Sequence, residues 1–335
     1  MEFRSLGRSG LKVSPICFGT MLFGGRTEEA VAARMVARAR EAGVNFIDTA
    51  DAYVEGRSEE IVGRILGKER PQWVLATKLA NKMGEGPNQQ GLSRKWIMDA
   101  VAGSLRRLGT DYIDVLYLHK EDHSTPLEET VSAIGDVIRQ GKIRYFGISN
   151  HRAWRLAEIV RICADLGIDR PVVSQPYYNA FNRMPEVEHL PACNHFGLGV
   201  FPYSPVARGV LTGKYEPGKP PPADTRAGTN DTRIRQTEWR EESLVLAQKV
   251  KAHAEKRGMT ATQFAVLWVL NNAFITGVIA GPRTPEQLEE YLTVFEHKFT
   301  KEDEALIDGM VVTGHSSTPG YNDPAYPIEG RPVRA

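Results

Sequence analysis

Eight short apolar runs, each followed by at least one helical pattern, constrain the fold of this chain more than any other feature. The runs are 16–20, 44–50, 73–78, 112–119, 143–149, 171–175, 198–204 and 276–281, rich in Val, Ile, Phe and Tyr. Most are continuously apolar rather than alternating. A strand reads this way when both of its faces are covered, as in a parallel sheet. Between the runs, residues 27–43 place Ala30, Val31, Met35, Ala39 and Ala42 near one face, and Gly43 can end the helix. Residues 93–109 predict a helix with Ser93 as N-cap and Gly109 as stop. Residues 125–141 repeat the pattern, with Thr125 as cap, Pro126 at the first helical position and Gly141 as stop. Further helices are expected at 57–67, 151–167, 185–195, 239–257, 260–271, 284–295 and 301–310.

Strand-then-helix alternation is the mark of a parallel sheet. Eight such units in roughly 300 residues fit a closed (β/α)8 TIM barrel. The rival is an open doubly wound sheet, but no GxGxxG follows the first run. The first fifteen residues break the rhythm and predict a β-hairpin around Arg8-Ser9-Gly10. Two segments read as long loops, 214–236 and the C-terminal loop 311–335. The expectation is one barrel domain over 1–335.

Composition removes several function classes. Lys plus Arg is 42 and Asp plus Glu is 41, a net charge of +1. Such a chain has no general attraction for nucleic acid or an acidic membrane. No apolar run approaches the ~20 residues of a membrane span, and the opening MEFRSLGRSGLKVS shows no apolar signal segment. Cys17, Cys163 and Cys193 have no metal-ligand or redox spacing and read as buried, reduced side chains. A cytoplasmic protein without a metal is therefore expected.

A barrel carries its chemistry at the C-terminal ends of its strands. Those ends here are Thr20, Asp48, Lys78, His119, Ser149 with Asn150, Gln175, and Tyr203 with Ser204. Asp48 and Lys78 end neighbouring strands, about 4.8 Å apart, and can form an ion pair. Tyr53 lies in the loop five residues after Asp48 and can fold back over the rim. A phenol beside an ammonium has its phenolate stabilised, which predicts a pKa below the usual ~10. His119, one strand further round, can hydrogen-bond a carbonyl oxygen. Simpler readings stay open: Tyr53 as a loop anchor, Lys78 or His119 paired locally.

These residues carry a resemblance. The chain is similar to the aldo-keto reductases along nearly its whole length, most of all to the branch related to the potassium-channel β subunits and their bacterial relatives. FRSLGRSGLKVSPICFGTM resembles the family's opening. NFIDTADAYVEGRSEEIVGRIL resembles its Asp–Tyr signature, VLATK its Lys strand and YIDVLYLHKEDHSTPLEETV its His segment. KIRYFGISNH, VVSQPYYN, FPYSPVARGVLTGKY and AGPRTPEQLEEYL resemble its cofactor segments. The family fold is a (β/α)8 barrel. Its catalytic tetrad matches Asp48, Tyr53, Lys78 and His119, which implies Tyr53 as general acid, Lys78 paired with Asp48, and His119 orienting the carbonyl. Some channel-subunit relatives have Asn at the His position, so His119 favours an ordinary reductase.

The resemblance also implies an extended nicotinamide dinucleotide. Ser149, Asn150 and Gln175 would hold the carboxamide, and Tyr203 would stack on the nicotinamide. Thr20 and Asp48 would reach the ribose side, with Met21 next to them both touching the cofactor and bounding the substrate pocket. Ser204, Pro205, Val206, Leu211 and Lys214 would line the pyrophosphate channel, and Arg226 would clasp the same phosphates. Gly281, Arg283, Gln287 and Glu290 match the segment for the adenosine end. A guanidinium at Arg283 suits a 2′-phosphate, so NADPH is expected over NADH; its simpler reading is a surface Arg at a helix start. Tyr291 departs from the family's usual Asn and would either stack on adenine or face elsewhere. The implied activity is NADPH-dependent reduction of aldehydes or ketones, with loops 21–26, 79–92 and the tail around Tyr321 and Tyr326 selecting the substrate. Two rivals are a Schiff-base aldolase using Lys78 and a non-catalytic nicotinamide-sensing interaction protein.

Overall fold

The computed structural model describes residues 1–229 and 231–327. Residues 328–335 of the expected C-terminal loop therefore lie outside the described residues.

The ten strands among the described residues are β1 (Arg4–Ser5), β2 (Lys12–Val13), β3 (Ile16–Gly19), β4 (Phe46–Asp48), β5 (Val74–Leu79), β6 (Ile113–Leu118), β7 (Ile143–Ser149), β8 (Val173–Gln175), β9 (Gly199–Val200) and β10 (Val278–Ala280). β1 and β2 form the antiparallel N-terminal hairpin. The other eight make one parallel sheet in the order β10-β3-β4-β5-β6-β7-β8-β9. The Thr276 amide donates to the Val200 carbonyl and the Ile279 amide to the Pro202 carbonyl, each over 3.0 Å. These bonds tie β10 to the β9 end and bring the sheet nearly to closure. The architecture is a (β/α)8 TIM barrel.

Two apolar layers explain why the strand runs are continuous. Ile16, Phe18, Ile47, Leu75, Leu116, Leu118, Phe146 and Ile148 face the surrounding helices. Cys17, Phe46, Ala76, Val115, Tyr117, Val173 and Phe201 fill the barrel interior. Neighbours in sequence thus point to opposite faces, and both faces are dry. The hairpin supplies Leu6 and Val13, both fully buried, to the same interior cluster. It plugs the end of the barrel away from the C-terminal rim. Gly7 makes this approach possible: at φ 56°, a Cβ there would stand 2.3 Å from the Val172 carbonyl oxygen.

The helices follow the sequence pattern with small shifts. Helix Arg94–Leu108 is capped by Ser93, whose side chain accepts from the Trp96 amide, and ends at Gly109 with φ 62°. Helix Leu127–Arg139 departs from expectation. Its N-cap is Pro126, without a side-chain cap. The Thr125 hydroxyl instead donates to Asp122 Oδ2 over 2.7 Å, because that carboxylate, already holding the Leu92 amide, is the better acceptor nearby. The loop expected at 214–236 runs into a short helix, Thr232–Thr237, which Asp231 caps by accepting from the Ile234 amide. Cys17, Cys163 and Cys193 are buried and unpaired. Among the described residues, no helix is long and apolar enough to cross a membrane.

Candidate active site

Strand register brings the first two site residues together. Asp48 on β4 pairs with Ala76 on β5, and Lys78 lies two residues beyond Ala76 on the same inward face. Lys78 has no exposed surface and Asp48 is 2% exposed. The Lys78 ammonium donates to Asp48 Oδ1, to the Thr49 carbonyl over 2.7 Å and to the Tyr53 hydroxyl over 3.0 Å. Burial alone would lower the Lys78 pKa, but Asp48 and Tyr53 raise it above its usual value. The group is therefore an ammonium. Burial pushes the Asp48 carboxyl up, opposed by Lys78 and by Gln175.

Tyr53 is placed by a strained turn. The two residues after it, Val54 and Glu55, have φ of 49° and 56°. Asn150, Ser204, Ala207 and Arg208 add φ values of 55°, 58°, 48° and 50°. Non-glycine residues in this region cost of the order of 1–3 kcal/mol each and collect at functional sites.

The Tyr53 pKa corrects the sequence expectation. Burial raises it above its usual value, and the Asp48 charge adds to the rise. The Lys78 ammonium pulls it down, but burial is the larger effect. Tyr53 at neutral pH is a neutral phenol with a proton to give. The His119 ring stands edge-on to Tyr53, 5.9 Å between centroids. Burial, then Lys78 and Lys120, hold its pKa well below the usual imidazole value. Asn81 Nδ2 lies 3.0 Å from His119 Nδ1. An amide nitrogen donates, so Nδ1 accepts and the ring proton sits on Nε2. The arrangement thus offers two neutral donors, a phenol and an imidazole, beside one buried ion pair.

The next residues round the rim form a linked polar ring. The Ser149 hydroxyl donates to the Gln175 carbonyl over 2.8 Å. Asn150 Nδ2 donates to the His119 carbonyl over 2.9 Å, and its Oδ1 accepts from the Tyr203 hydroxyl over 2.8 Å. Gln175 Nε2 donates to Asp48 Oδ2 over 3.0 Å. Tyr203 stacks on Tyr177 with centroids 5.6 Å apart. Met21 is 36% exposed.

Away from the rim, three cations gather. Arg283 donates to the Asp224 carbonyl over 2.7 Å and Arg26 to the same oxygen over 3.0 Å. Partial burial and the charges of Arg283 and Arg26 lower the Lys214 pKa. Gln287 Oε1 accepts from the Arg283 amide over 2.8 Å, and Glu290 lies within electrostatic reach of Lys214. Gly281 is open, with nothing near the position of a Cβ.

The structure does not bring every expected residue into this arrangement as a free side chain. Thr20 is fully buried, and its hydroxyl is engaged with the Asp48 carbonyl and Ser58. Leu211 is buried in the layer between sheet and helices. Arg226 is ion-paired with Asp231 at 2.7 Å. Tyr291 is 5% exposed and packs in the core. Ser204 holds Asn179 through its carbonyl, and Pro205 and Val206 continue the turn beside it. The tail crosses above: Arg233 binds Asp323 through two bonds, 2.9 and 2.6 Å, and Arg152 donates to the Pro327 carbonyl over 2.7 Å. Tyr326 is 37% exposed and within electrostatic reach of Tyr53.

Sequence reasoning missed Asn81, Arg26 and Arg208. Asn81 closes the strand-end loop only three residues after Lys78, which was a usable signal. Arg208 donates to Thr237 over 3.2 Å and its charge reaches Tyr53 and Tyr203. Nothing in its spacing marks it.

A family model described as the aldo/keto reductase family matches residues 15–311. This chain belongs to the aldo/keto reductase family. It is 39% identical over 302 residues to a protein of Oryza sativa subsp. japonica named a probable voltage-gated potassium channel subunit beta, covering 88% of this chain and 92% of that one. It is 39% identical over 295 residues to a protein of Arabidopsis thaliana with the same name, covering 87% and 90%. A putative voltage-gated potassium channel subunit beta of Schizosaccharomyces pombe is 36% identical over 323 residues, covering 93% of each. Membership in this reductase family supports oxidoreduction of small carbonyl compounds and a nicotinamide cofactor in general terms.

Proposed function

We propose that this aldo/keto reductase reduces aldehyde or ketone carbonyls to alcohols with NADPH. The observation that carries the reading is the hydrogen-bonded line Tyr53–Lys78–Asp48 with neutral His119 at its side.

The residues present fit the cofactor. Arg26, Lys214 and Arg283 concentrate positive charge, which Asp224 and Glu290 offset only in part at Lys214. Such a surplus suits phosphate groups. Arg283 and Arg26 would hold the 2′-phosphate end with Gln287, and Lys214 the pyrophosphate. Ser149, Asn150 and Gln175 would hold the carboxamide, and Tyr203 offers the ring face opposite Tyr177. When bound, the reduced nicotinamide supplies a hydride to the carbonyl carbon.

The chain's own residues do the rest. His119 Nε2–H hydrogen-bonds the carbonyl oxygen and polarises it. Tyr53 gives its proton to that oxygen as negative charge develops. The Lys78 ammonium stabilises the phenolate left behind, and Asp48 keeps Lys78 charged and pointed at Tyr53. Met21 and Tyr326 bound the pocket for the organic part of the substrate.

The aldolase reading loses support from Lys78 itself. A Schiff-base nucleophile must be a free amine, whereas this ammonium serves three oxygens. The names of the relatives favour the second rival, a cofactor-binding interaction protein. A turnover assay separates it: NADPH oxidation across a diverse carbonyl panel should be well above background. Tyr53→Phe should cut turnover at least about a hundredfold while NADPH affinity stays within a few fold. Near-normal turnover in that variant would sink the acid assignment, and tight NADPH binding with no turnover in the wild type would favour the interaction protein.

A further inference from the structure

We propose that the cleft between the loop 83–91 and helix Arg94–Leu108 binds a small protonated amine that also carries an oxygen acceptor. The site lies outside the tetrad and does not rest on the function argued above. The cleft has a volume of about 470 Å3, within the range of small-molecule sites. Met83, Pro87, Trp96 and Ala100 give it apolar walls, and Asp51 forms its floor.

Two buried polar groups at this cleft lack partners among the described residues. Asp51 has no exposed surface, and neither of its carboxylate oxygens is hydrogen-bonded; the adjacent Ala52 amide favours its charge without reaching bonding geometry. Trp96 is 8% exposed, and its indole N–H is also unpartnered. One is an acceptor and the other a donor, and they do not bond each other.

The charge count selects the ligand. Asp51 and Glu59 are both fully buried and close enough to repel. The Arg107 guanidinium, whose charge reaches Asp51, is given to Glu59 at 2.6 Å, and Thr77 donates to the other Glu59 oxygen over 2.6 Å. Lys78 is committed to the tetrad. On the rim, Lys95 and Asp99 neutralise each other at 2.9 Å, and Arg106 is exposed, where solvent screens it. The floor is thus one positive charge short. Burial and Glu59 accordingly push the Asp51 carboxyl up to about 7. An ammonium would supply the missing charge, its apolar body would cover the Trp96 face, and an oxygen next to it would accept from the indole N–H.

The test uses 2-amino-1-phenylethanol as probe, without cofactor, on the whole chain labelled at its five Trp indole nitrogens. Trp96→Phe assigns the Trp96 indole signal. That signal should shift saturably in the millimolar range with the probe. Binding should be about tenfold weaker, ~1.4 kcal/mol, in Asp51→Asn and for the neutral isostere 1-phenylpropan-1-ol on the wild type. An unmoved Trp96 signal overturns the proposal. So does equal binding of amine and neutral isostere, which holds whether or not the variant folds.

Discussion

Asn81 Nδ2 faces His119 Nδ1 across 3.0 Å, and this contact decides which ring nitrogen of His119 carries a proton. Without it the imidazole can turn either face to the pocket. Asn81→Ala should lower kcat about tenfold, the worth of one hydrogen bond of ~1.4 kcal/mol, with the KM for NADPH unchanged. Steady-state kinetics checks this, and an unchanged kcat removes Asn81 from the account.

Arg283 and Arg26 share the Asp224 carbonyl, so both stand at one end of the cation cluster. A charged hydrogen bond to a 2′-phosphate contributes roughly 1.5–3 kcal/mol. Arg283→Ala should therefore weaken NADPH about ten- to a hundredfold and leave NADH nearly untouched. Arg26→Ala should act in the same direction and less strongly. Fluorescence titration with both cofactors reads the difference, and equal losses for both would contradict the phosphate role.

Asp51 should leave a signature in stability against pH. Its carboxyl stands at about 7 in the folded chain, against ~3.9 when unfolded. Between those values the folded chain holds a proton that the unfolded chain releases. Stability therefore falls as pH rises through that window and levels off above it. The charged groups facing Asp51 are Glu59, Arg107 and Lys78. Asp51→Asn removes the buried charge, so its melting temperature should gain more over wild type above about pH 7 than near about pH 5. A gain independent of pH would show that Asp51 has a partner after all.

Gly147 lets the Tyr117 ring lie inside the barrel. A Cβ there would stand 2.6 Å from Val173 Cγ1 and 2.8 Å from two Tyr117 ring carbons. Gly147→Ala should cost about 1–3 kcal/mol, the usual range for overpacking. Denaturant unfolding measures it. Because Tyr117 pairs with Lys78 across the strands and lies within electrostatic reach of Asp48, turnover should fall as well.

Much of the site could be read from strand ends. Asp48, Lys78 and His119 each terminate an apolar run, and strand order alone puts them side by side. Tyr53 needed the loop to turn back, and that turn depends on left-handed backbone at Val54 and Glu55, residues whose identity does not announce it. The Tyr53 pKa was misjudged because spacing reveals the ammonium but not the depth of burial around it. Thr125 went to Asp122, an acceptor that outcompeted the expected helix cap, and Arg226 is paired with Asp231. Asn81 was legible in principle, standing just past the Lys78 strand.

The amino-acid order by itself determined the alternation of strand and helix, the two-sided burial of each strand and the set of polar side chains at the rim. These follow from local periodicity, which acts within a few residues. Only the tertiary structure decided how the charges were shared out: Lys78 to Asp48 and Tyr53, Arg107 to Glu59 rather than Asp51, Tyr291 to the core. Those choices depend on distances between segments far apart in the chain and on how much water each pair loses. Neither quantity is written in any local stretch of sequence.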